Sequence, residues 1–174
     1  MKKIFALLFV LGAFFTTSCI EQEYPVWTGS VVEWDATVLN NPAPGKDFPL
    51  LARVPRPGFP INTSANTPPL DPLITRTTGT LRLRVNFVSP QRTSDETMTY
   101  KVVPEETTAV AGTHYNMSGT AVIPANSSFA DVEIQILNPG ATSGVRNLVL
   151  ELEGNATIQP SEKYKRVGIS IAQN

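Results

Sequence analysis

The fold of this chain is decided by the stretch Ala111-Gly-Thr-His-Tyr-Asn-Met-Ser-Gly-Thr-Ala-Val-Ile-Pro-Ala-Asn-Ser-Ser-Phe-Ala-Asp-Val-Glu-Ile-Gln-Ile-Leu137. In its second half apolar and polar residues alternate, Ala130, Val132, Ile134 and Ile136 with Asp131, Glu133 and Gln135. A period of two is typical of an antiparallel strand with one buried face. The stretch therefore predicts a short strand ending at Ile123, a hairpin loop over Pro124–Ser128 and a long strand after it.

The same alternation recurs on both sides of this stretch. It marks five further strand segments, residues 30–39, 81–87, 98–102, 148–152 and 167–171. No apolar stretch at a helical period is long enough to form a helix. Seven short alternating strands predict an all-β fold, an immunoglobulin-like antiparallel β-sandwich of about seven strands.

The alternation also assigns side chains to faces. Trp34 shares its face with three apolar residues, so we expect it in the core, whereas Trp27 has no such neighbours and is expected to be exposed. Asp35 and Val149 fall on outward positions. The carboxylates at 131, 133, 151 and 153 also point outward, a spacing that suits a solvated surface or cross-strand pairing with Arg82 and Arg84.

Residues 41–74 form a Pro-rich insertion between the first two predicted strands. Residues 41 to 72 hold nine of the fifteen prolines, which excludes a central strand or a helix. We interpret the segment as a long loop laid partly against the sandwich, with Asn62–Thr67 as a mobile tip. Arginine and aromatic side chains are enriched at protein interfaces. The predicted contact residues are Phe48, Arg53, Arg56, Phe59 and, outside the loop, Trp27. A loop that only covers a sheet edge is the alternative.

The N-terminus is typical of an exported protein. Met1-Lys2-Lys3 is positively charged and an apolar run of twelve residues follows over Ile4–Phe15, too short for the roughly 20 residues that span a bilayer. The run ends in Thr16-Thr17-Ser18-Cys19, which resembles the lipobox of bacterial lipoproteins, with Thr16 where an aliphatic residue is usual. The resemblance implies a signal peptide over 1–18, a lipidated Cys19 and a tether over 19–29 before a sandwich domain at 30–174. An ordinary secretory signal with a stray cysteine is the alternative.

The acidic residues of the tether bear on localisation. Glu21 and Glu23 follow Cys19 closely, which resembles the signal that exports some lipoproteins of Gram-negative bacteria to the cell surface. A solvated linker explains them equally well. We therefore predict a protein that is lipid-anchored at the outer membrane. The prediction does not choose between the periplasmic and the cell-surface side.

Composition excludes several functions. Removal of residues 1–18 takes two of the 14 basic side chains and none of the 15 acidic ones, which leaves a charge near −3. Without a basic run this balance does not indicate nucleic acid. One cysteine and one histidine, His114, exclude thiol and His-rich metal sites, and no Gly-x-Ser-x-Gly elbow accompanies His114. His114 is interpreted as a hydrogen-bonded turn residue. No enzyme activity and no cofactor are expected.

The motifs Ala-Gly-Thr-His-Tyr, Ser-Gly-Thr-Ala-Val-Ile-Pro, Val-Glu-Ile-Gln-Ile-Leu and Leu-Val-Leu-Glu-Leu occur here in the order seen in the Calx-beta superfamily. The resemblance covers residues 97 to 172 and extends to lipoproteins of Gram-negative bacteria that carry one such domain behind a lipobox. Calcium-binding members have a turn aspartate where His114 stands, and an acidic run where Asn138–Gly144 stands. A calcium site needs six to eight oxygen ligands. Calcium binding is therefore not expected.

Two functions from different classes remain open. The first is a non-enzymatic structural, adhesive or protein-interaction module of the cell envelope. The second is a glycan-binding accessory lipoprotein of a surface polysaccharide-uptake system, for which Trp27, Phe48, Phe59 and Tyr164 are the candidate rings. The second requires two of these rings to lie together on an exposed surface.

Lipidation of Cys19 is testable by metabolic labelling. Cells grown with labelled palmitate are expected to label the wild-type protein and not Cys19→Ala, because the thiol is the acylated group. Label that persists in the variant would contradict the anchor.

Overall fold

Alternating sequence produces alternating burial in the two longest strands of one sheet. The computed structural model describes residues 27–35, 42–61, 70–140 and 142–174. Every second residue from Leu81 to Phe87 and from Ala130 to Ile136 is buried. The register places Leu81 opposite Ile134 and Leu83 opposite Val132, so the apolar faces of both strands enter one core.

The described residues form ten strands and one 3₁₀ turn, Pro104–Glu106. The strands are β1 Val31–Trp34, β2 Leu50–Leu51, β3 Thr80–Val88, β4 Glu96–Val102, β5 Tyr115–Met117, β6 Thr120–Ile123, β7 Phe129–Ile136, β8 Val145–Gly154, β9 Gln159–Pro160 and β10 Arg166–Ala172. Sheet A has the order β5-β7-β3-β1-β9 and sheet B the order β2-β10-β8-β4-β6. The all-β immunoglobulin-like sandwich is confirmed, with ten strands where the alternation predicts about seven.

The three additional strands are short and lie at sheet edges. Two of them, β2 and β9, pair in parallel with β10 and β1, so the sandwich is not wholly antiparallel. A strand of two residues has no periodicity to reveal it. Its pairing is decided by the sheet edge that the chain meets.

The predicted hairpin around Pro124–Ser128 is wrong. β6 pairs with β4 in sheet B, whereas β7 pairs with β3 and β5 in sheet A, so this connection carries the chain from one sheet to the other. The connection is held by the turn before β4. Asn126 N donates to Arg92 O at 2.7 Å and Ala125 N to Asp95 Oδ1 at 2.8 Å. Alternation identifies a strand with one buried face but not its partner.

The structure confirms the predicted core position of Trp34. Its side chain has no exposed surface and meets Tyr100 edge to face, with ring centroids 6.0 Å apart. The indole Nε1 donates to Lys165 O at 3.0 Å, and the backbone N donates to Tyr164 O at 2.9 Å. A buried indole that has its N–H satisfied is the stable arrangement for tryptophan. Predicted strand residues after Asp35 lie outside the described residues.

The outer face of sheet B is partly covered by the Pro-rich insertion. Phe48, predicted as an exposed contact residue, is 2% exposed and packs with Val103 and Val149, so that prediction is wrong. Val149 points outward, as predicted, but is buried beneath this cover. Gly168 allows the approach, since its N donates to Pro49 O at 2.8 Å and a β-carbon there would lie 2.7 Å from Leu50 Cδ1.

The turn between β8 and β9 depends on a glycine. Gly154 has a φ of 72°, and a β-carbon at this position would lie 2.1 Å from the carbonyl oxygen of Ile158. Asn155 completes the turn, because its Oδ1 accepts from the N–H groups of Thr157 and Ile158 at 2.9 Å each. The turn therefore fixes the position of Gln159–Pro160 at the edge of sheet A.

We expect Gly154→Ala to lower the free energy of unfolding by at least about 2 kcal/mol, since the left-handed conformation alone costs about 1–2 kcal/mol for alanine. Urea unfolding is the measurement. Gly144→Ala is the matched control, because Gly144 has a φ of 82° and nothing within 4 Å of a β-carbon. Equal losses in the two variants would show that the Ile158 contact relaxes without cost.

Candidate functional site

The outer face of sheet A carries a ladder of opposite charges. Arg82 Nε lies 3.0 Å from Glu133 Oε1, and Arg84 Nε lies 3.1 Å from Asp131 Oδ1. Both pairs are directly opposite in the β3–β7 register, which confirms the predicted pairing for Asp131 and Glu133. The other two outward carboxylates pair elsewhere, Glu151 with Arg166 and Glu153 with Lys101. The Arg84 guanidinium also lies 4.0 Å from the ring centroid of Phe129. These contacts hold two arginines flat on an exposed sheet.

The Pro-rich insertion folds back on itself before it reaches this face. Its two limbs are joined by hydrogen bonds from Val54 N to Pro72 O and from Ile74 N to Ala52 O, each 2.9 Å long. Leu51 and Ile74 are buried in the main core. The predicted tip, Asn62–Thr67, lies outside the described residues. The limbs are therefore part of the sandwich, and residues 55 to 61 extend beyond them.

Two buried carboxylates fix this extension. Asp35 is 5% exposed, and its Oδ2 accepts from Gly58 N at 2.8 Å. Asp71 is also 5% exposed, and its Oδ1 lies 2.7 Å from Arg56 Nε. Asp35 follows the predicted outward alternation but is covered by the insertion. Buried carboxylates are stable where they are paired or hydrogen-bonded, so these contacts define the position of the extension.

The extension and sheet A enclose a groove of about 550 Å³, which we call the arginine groove. It is lined by Val54, Pro55, Arg56, Pro57 and Phe59 from the insertion and by Thr80, Arg82, Arg84 and Asp131 from sheet A. Phe59 is 60% exposed, and the Arg56 guanidinium lies 5.7 Å from its ring centroid. The groove thus combines three guanidinium groups with one exposed ring.

The structure brings together only some of the predicted contact residues. Arg56 and Phe59 both line the arginine groove. Arg53 is half-buried and donates to the backbone oxygen of Asp71, so it supports the groove from behind. Phe48 lies on the opposite sheet, and Trp27 lies at a different cavity on sheet A.

That second cavity, about 620 Å³ in volume, lies where β9 pairs with β1; we call it the aromatic cavity. It is lined by Trp27, Gly29, Ser30, Val31, Glu33, Val88 and residues 159–164. Trp27 is 61% exposed, as predicted, and shares the cavity with Tyr164. Residues 27–29 of the predicted tether are therefore part of its wall.

Backbone contacts position both rings of the aromatic cavity. A β-carbon at Gly29 would lie 2.5 Å from Cζ2 of Trp27, so the indole rests on a glycine that has no side chain. The loop with Tyr164 is held by the hydrogen bonds from Trp34 and by Tyr164 N, which donates to Ser161 Oγ at 3.3 Å. The two residues are far apart in the sequence and line one cavity through the parallel β1–β9 pairing.

Glu33 is the acidic group of the aromatic cavity. Burial raises its pKa above the ordinary value of 4.5, and the negative charge of Asp35 raises it further. Glu33 lies on β1 opposite Asn86, on the outer face of sheet A. A carboxylate without a compensating positive charge favours its protonated form when it is desolvated.

His114 and two further acidic residues, Glu106 and Glu151, have structural contacts. His114 Nδ1 accepts from Val110 N at 3.0 Å, which confirms the predicted turn role. Glu106 pairs with Lys46, and Glu151 pairs with Arg166. Within the described residues no three His, Cys, Asp or Glu side chains lie close enough to share a metal ion. The expected absence of calcium binding stays a prediction.

One pair of outward carboxylates differs from the pattern of a glycosidase. The pKa of Glu153 is lowered by hydrogen bonds from Lys101 and Thr99. A general acid for glycoside hydrolysis needs a raised pKa.

In the part of the chain that the structure describes, no helix has the length and apolarity to cross a membrane.

Comparison with known proteins shows a likeness of fold. The chain is similar to the apo form of the Calx CBD1 domain, with 9% sequence identity and a TM-score of 0.53 over 84% of this chain and 98% of that domain. It is also similar to the Calx CBD2 domain (15% identity, TM-score 0.47, 58% and 80% covered) and to the calcium binding domain CBD12 of CALX1.1 (14%, 0.48, 57% and 40%). The sequence matches no protein-family model and no curated protein. The fold is Calx-beta-like, as the motifs predict.

The raised pKa of Glu33 predicts a pH-dependent effect of its removal. Ionisation of Glu33 is less favourable in the folded state than in the unfolded state. The free energy of unfolding therefore falls as pH rises through the raised pKa of Glu33. We expect Glu33→Gln to match the wild type at pH 4 and to be more stable at pH 7. Thermal unfolding at both pH values measures this.

Glu162→Gln is the matched control, because Glu162 lies at the same cavity and is exposed. A stability gain for Glu33→Gln that is equal at both pH values would contradict the assignment.

Proposed function

We propose that this protein is a non-enzymatic, lipid-anchored module of the cell envelope that binds a protein partner through the arginine groove. The Calx-beta-like sandwich supports an interaction module. The observation that carries the proposal is the position of Phe59, an exposed ring held beside three arginines by a segment that buried Asp35 and Asp71 fix in place. A fixed, exposed aromatic ring loses little conformational entropy on binding.

The anchor and the location are part of the same proposal. The apolar run up to Phe15 and the lipobox-like sequence at Thr16–Cys19 support acylation of Cys19, although these residues lie outside the described part of the chain. Two or three acyl chains, at about 0.8 kcal/mol per buried methylene, hold a protein firmly to a membrane. The proposed location is the outer membrane.

The chemistry of the groove specifies the partner surface. Phe59 offers an apolar anchor, and Arg82 offers a guanidinium whose side chain is 66% exposed. Arginine can exchange its carboxylate for one on a partner, because the guanidinium fork matches the geometry of a carboxylate. The partner surface that fits is an apolar pocket for Phe59 bordered by carboxylates.

A second candidate function is glycan binding as an accessory of a surface polysaccharide-uptake system. One observation favours it: Trp27 and Tyr164, two of the four candidate rings, line the same cavity. Rings with a polar edge suit ligands that have both apolar faces and hydroxyl groups.

Site-specific photo-crosslinking in living cells tests the protein partner. We place a photo-reactive amino acid at Phe59 in the full-length protein and expect a discrete protein adduct, because the ring is the centre of the proposed contact. The matched control position is Val122, which is 47% exposed on the outer face of sheet B.

The adduct at Phe59 should disappear when Arg82→Glu is added, since the reversed charge repels a carboxylate-bordered surface. Adducts of the same size at Phe59 and Val122 would indicate random collision and overturn the proposal. The absence of any adduct at Phe59 would also overturn it.

A further inference from the structure

The aromatic cavity contains polar groups that the fold does not use. No hydrogen bond joins the side chains of Glu33, Gln159 or Lys163 to another described residue. Gln159 and Lys163 are exposed and Glu33 is half-buried. These three groups, an acid, an amide and an ammonium, therefore have donor and acceptor capacity free for a ligand.

The two rings provide the apolar part of the same cavity. Trp27 rests on Gly29 and is 61% exposed, so most of its indole is available to a ligand. Tyr164 is half-buried in a loop whose backbone is tied to Trp34. The volume of about 620 Å³ lies within the range of about 300–1,000 Å³ usual for small-molecule sites.

We infer that the aromatic cavity binds an uncharged saccharide, with a sugar ring against the Trp27 indole and its hydroxyl groups on Glu33, Gln159 and Lys163. This rests on the second candidate function and assigns its site. A sugar ring has an apolar face for the indole, and each hydroxyl both donates and accepts a hydrogen bond. A carboxylate accepts hydrogen bonds from sugar hydroxyl groups, an ammonium donates to them, and an amide does both.

Other ligand classes fit these groups less well. A wholly apolar ligand would desolvate the Glu33 carboxylate without offering it a hydrogen-bond partner, which is unfavourable. An anionic ligand would meet Glu33 and, at the same cavity, Glu162. A quaternary ammonium would suit the rings and Glu33 but would leave Lys163 opposed to it. An uncharged polyhydroxyl ligand avoids all three penalties.

Calorimetric titration of the full-length protein in detergent tests the site. The probes are maltohexaose, cellohexaose and mannohexaose, with choline chloride as the rival cation. We expect at least one hexasaccharide to bind and Trp27→Ala to weaken it roughly tenfold or more, the loss of one aromatic contact. Gly29→Ala should weaken binding as well, because it displaces the indole without removing it.

One control variant and two spectroscopic measurements distinguish loss of the site from a general effect on the protein. Phe129→Ala is the matched control, an exposed ring that lines neither cavity, and should leave the affinity unchanged. In the wild type, saccharide should also change the emission of Trp27, since Trp34 is fully buried. Unaltered near-ultraviolet circular dichroism in Trp27→Ala would show that the variant folds.

Each outcome of the titration bears on the site, on the ligand class or on the glycan function. If none of the three saccharides binds, both the site and the glycan function are overturned. Binding that survives Trp27→Ala and Gly29→Ala unchanged overturns the site and leaves glycan binding as a function of another surface. Binding of choline without any saccharide overturns the ligand class. None of these results affects the protein partner of the arginine groove.

Discussion

The core of the sandwich and the loop that lines the aromatic cavity both depend on the contacts of Trp34. It fills the core from β1, meets Tyr100 of the opposite sheet and donates its N–H to Lys165 O, while its backbone N donates to Tyr164 O. One residue therefore joins the two sheets and holds the loop that follows β9. Because a buried indole left without an acceptor costs about 1–3 kcal/mol, that loop is fixed to β1 rather than free at the edge.

The Pro-rich insertion makes the two outer faces of the sandwich unequal. Its first limb places Phe48 on sheet B over Val149, where the two side chains and Val103 form a small second core. Its extension then reaches sheet A, where Gly58 and Arg56 meet the carboxylates of Asp35 and Asp71. Proline limits the conformations of the unfolded chain, so the described residues of the insertion are ordered at lower entropic cost. The result is a covered area on sheet B and the arginine groove on sheet A.

The sequence predicts the fold well where strands are long. Period-two alternation identifies β3, β4, β7, β8 and β10, and the ion pairs of Arg82 and Arg84 follow from their outward positions. Alternation does not identify partners, which is why the connection at Pro124–Ser128 is wrongly interpreted as a hairpin. Strands of two residues such as β2 and β9 show no period at all. Their positions depend on tertiary contacts.

The candidate sites are predicted less completely for the same reason. Arg56 and Phe59 are identified because arginine and aromatic residues in an ordered loop indicate an interface. Phe48 has the same local signature but is buried. The sequence does not indicate which sheet the loop covers, so this burial is not predicted from it. Trp27 and Tyr164 are recognised as rings, but their shared cavity depends on a parallel pairing between the two ends of the domain. Glu33 is assigned outward correctly, without a sign that it lines a cavity.

The two concave surfaces of sheet A are linked through Glu33 and Asp35, which lie two residues apart in the sequence. Glu33 lines the aromatic cavity, and Asp35, two residues further on, accepts the hydrogen bond that fixes the extension at the arginine groove. Burial raises the pKa of Glu33 and the charge of Asp35 raises it further, so the group that fixes the extension also influences the acidic group of the aromatic cavity. The chemistry of the aromatic cavity is therefore not independent of the Pro-rich insertion, although the two surfaces have no side chain in common.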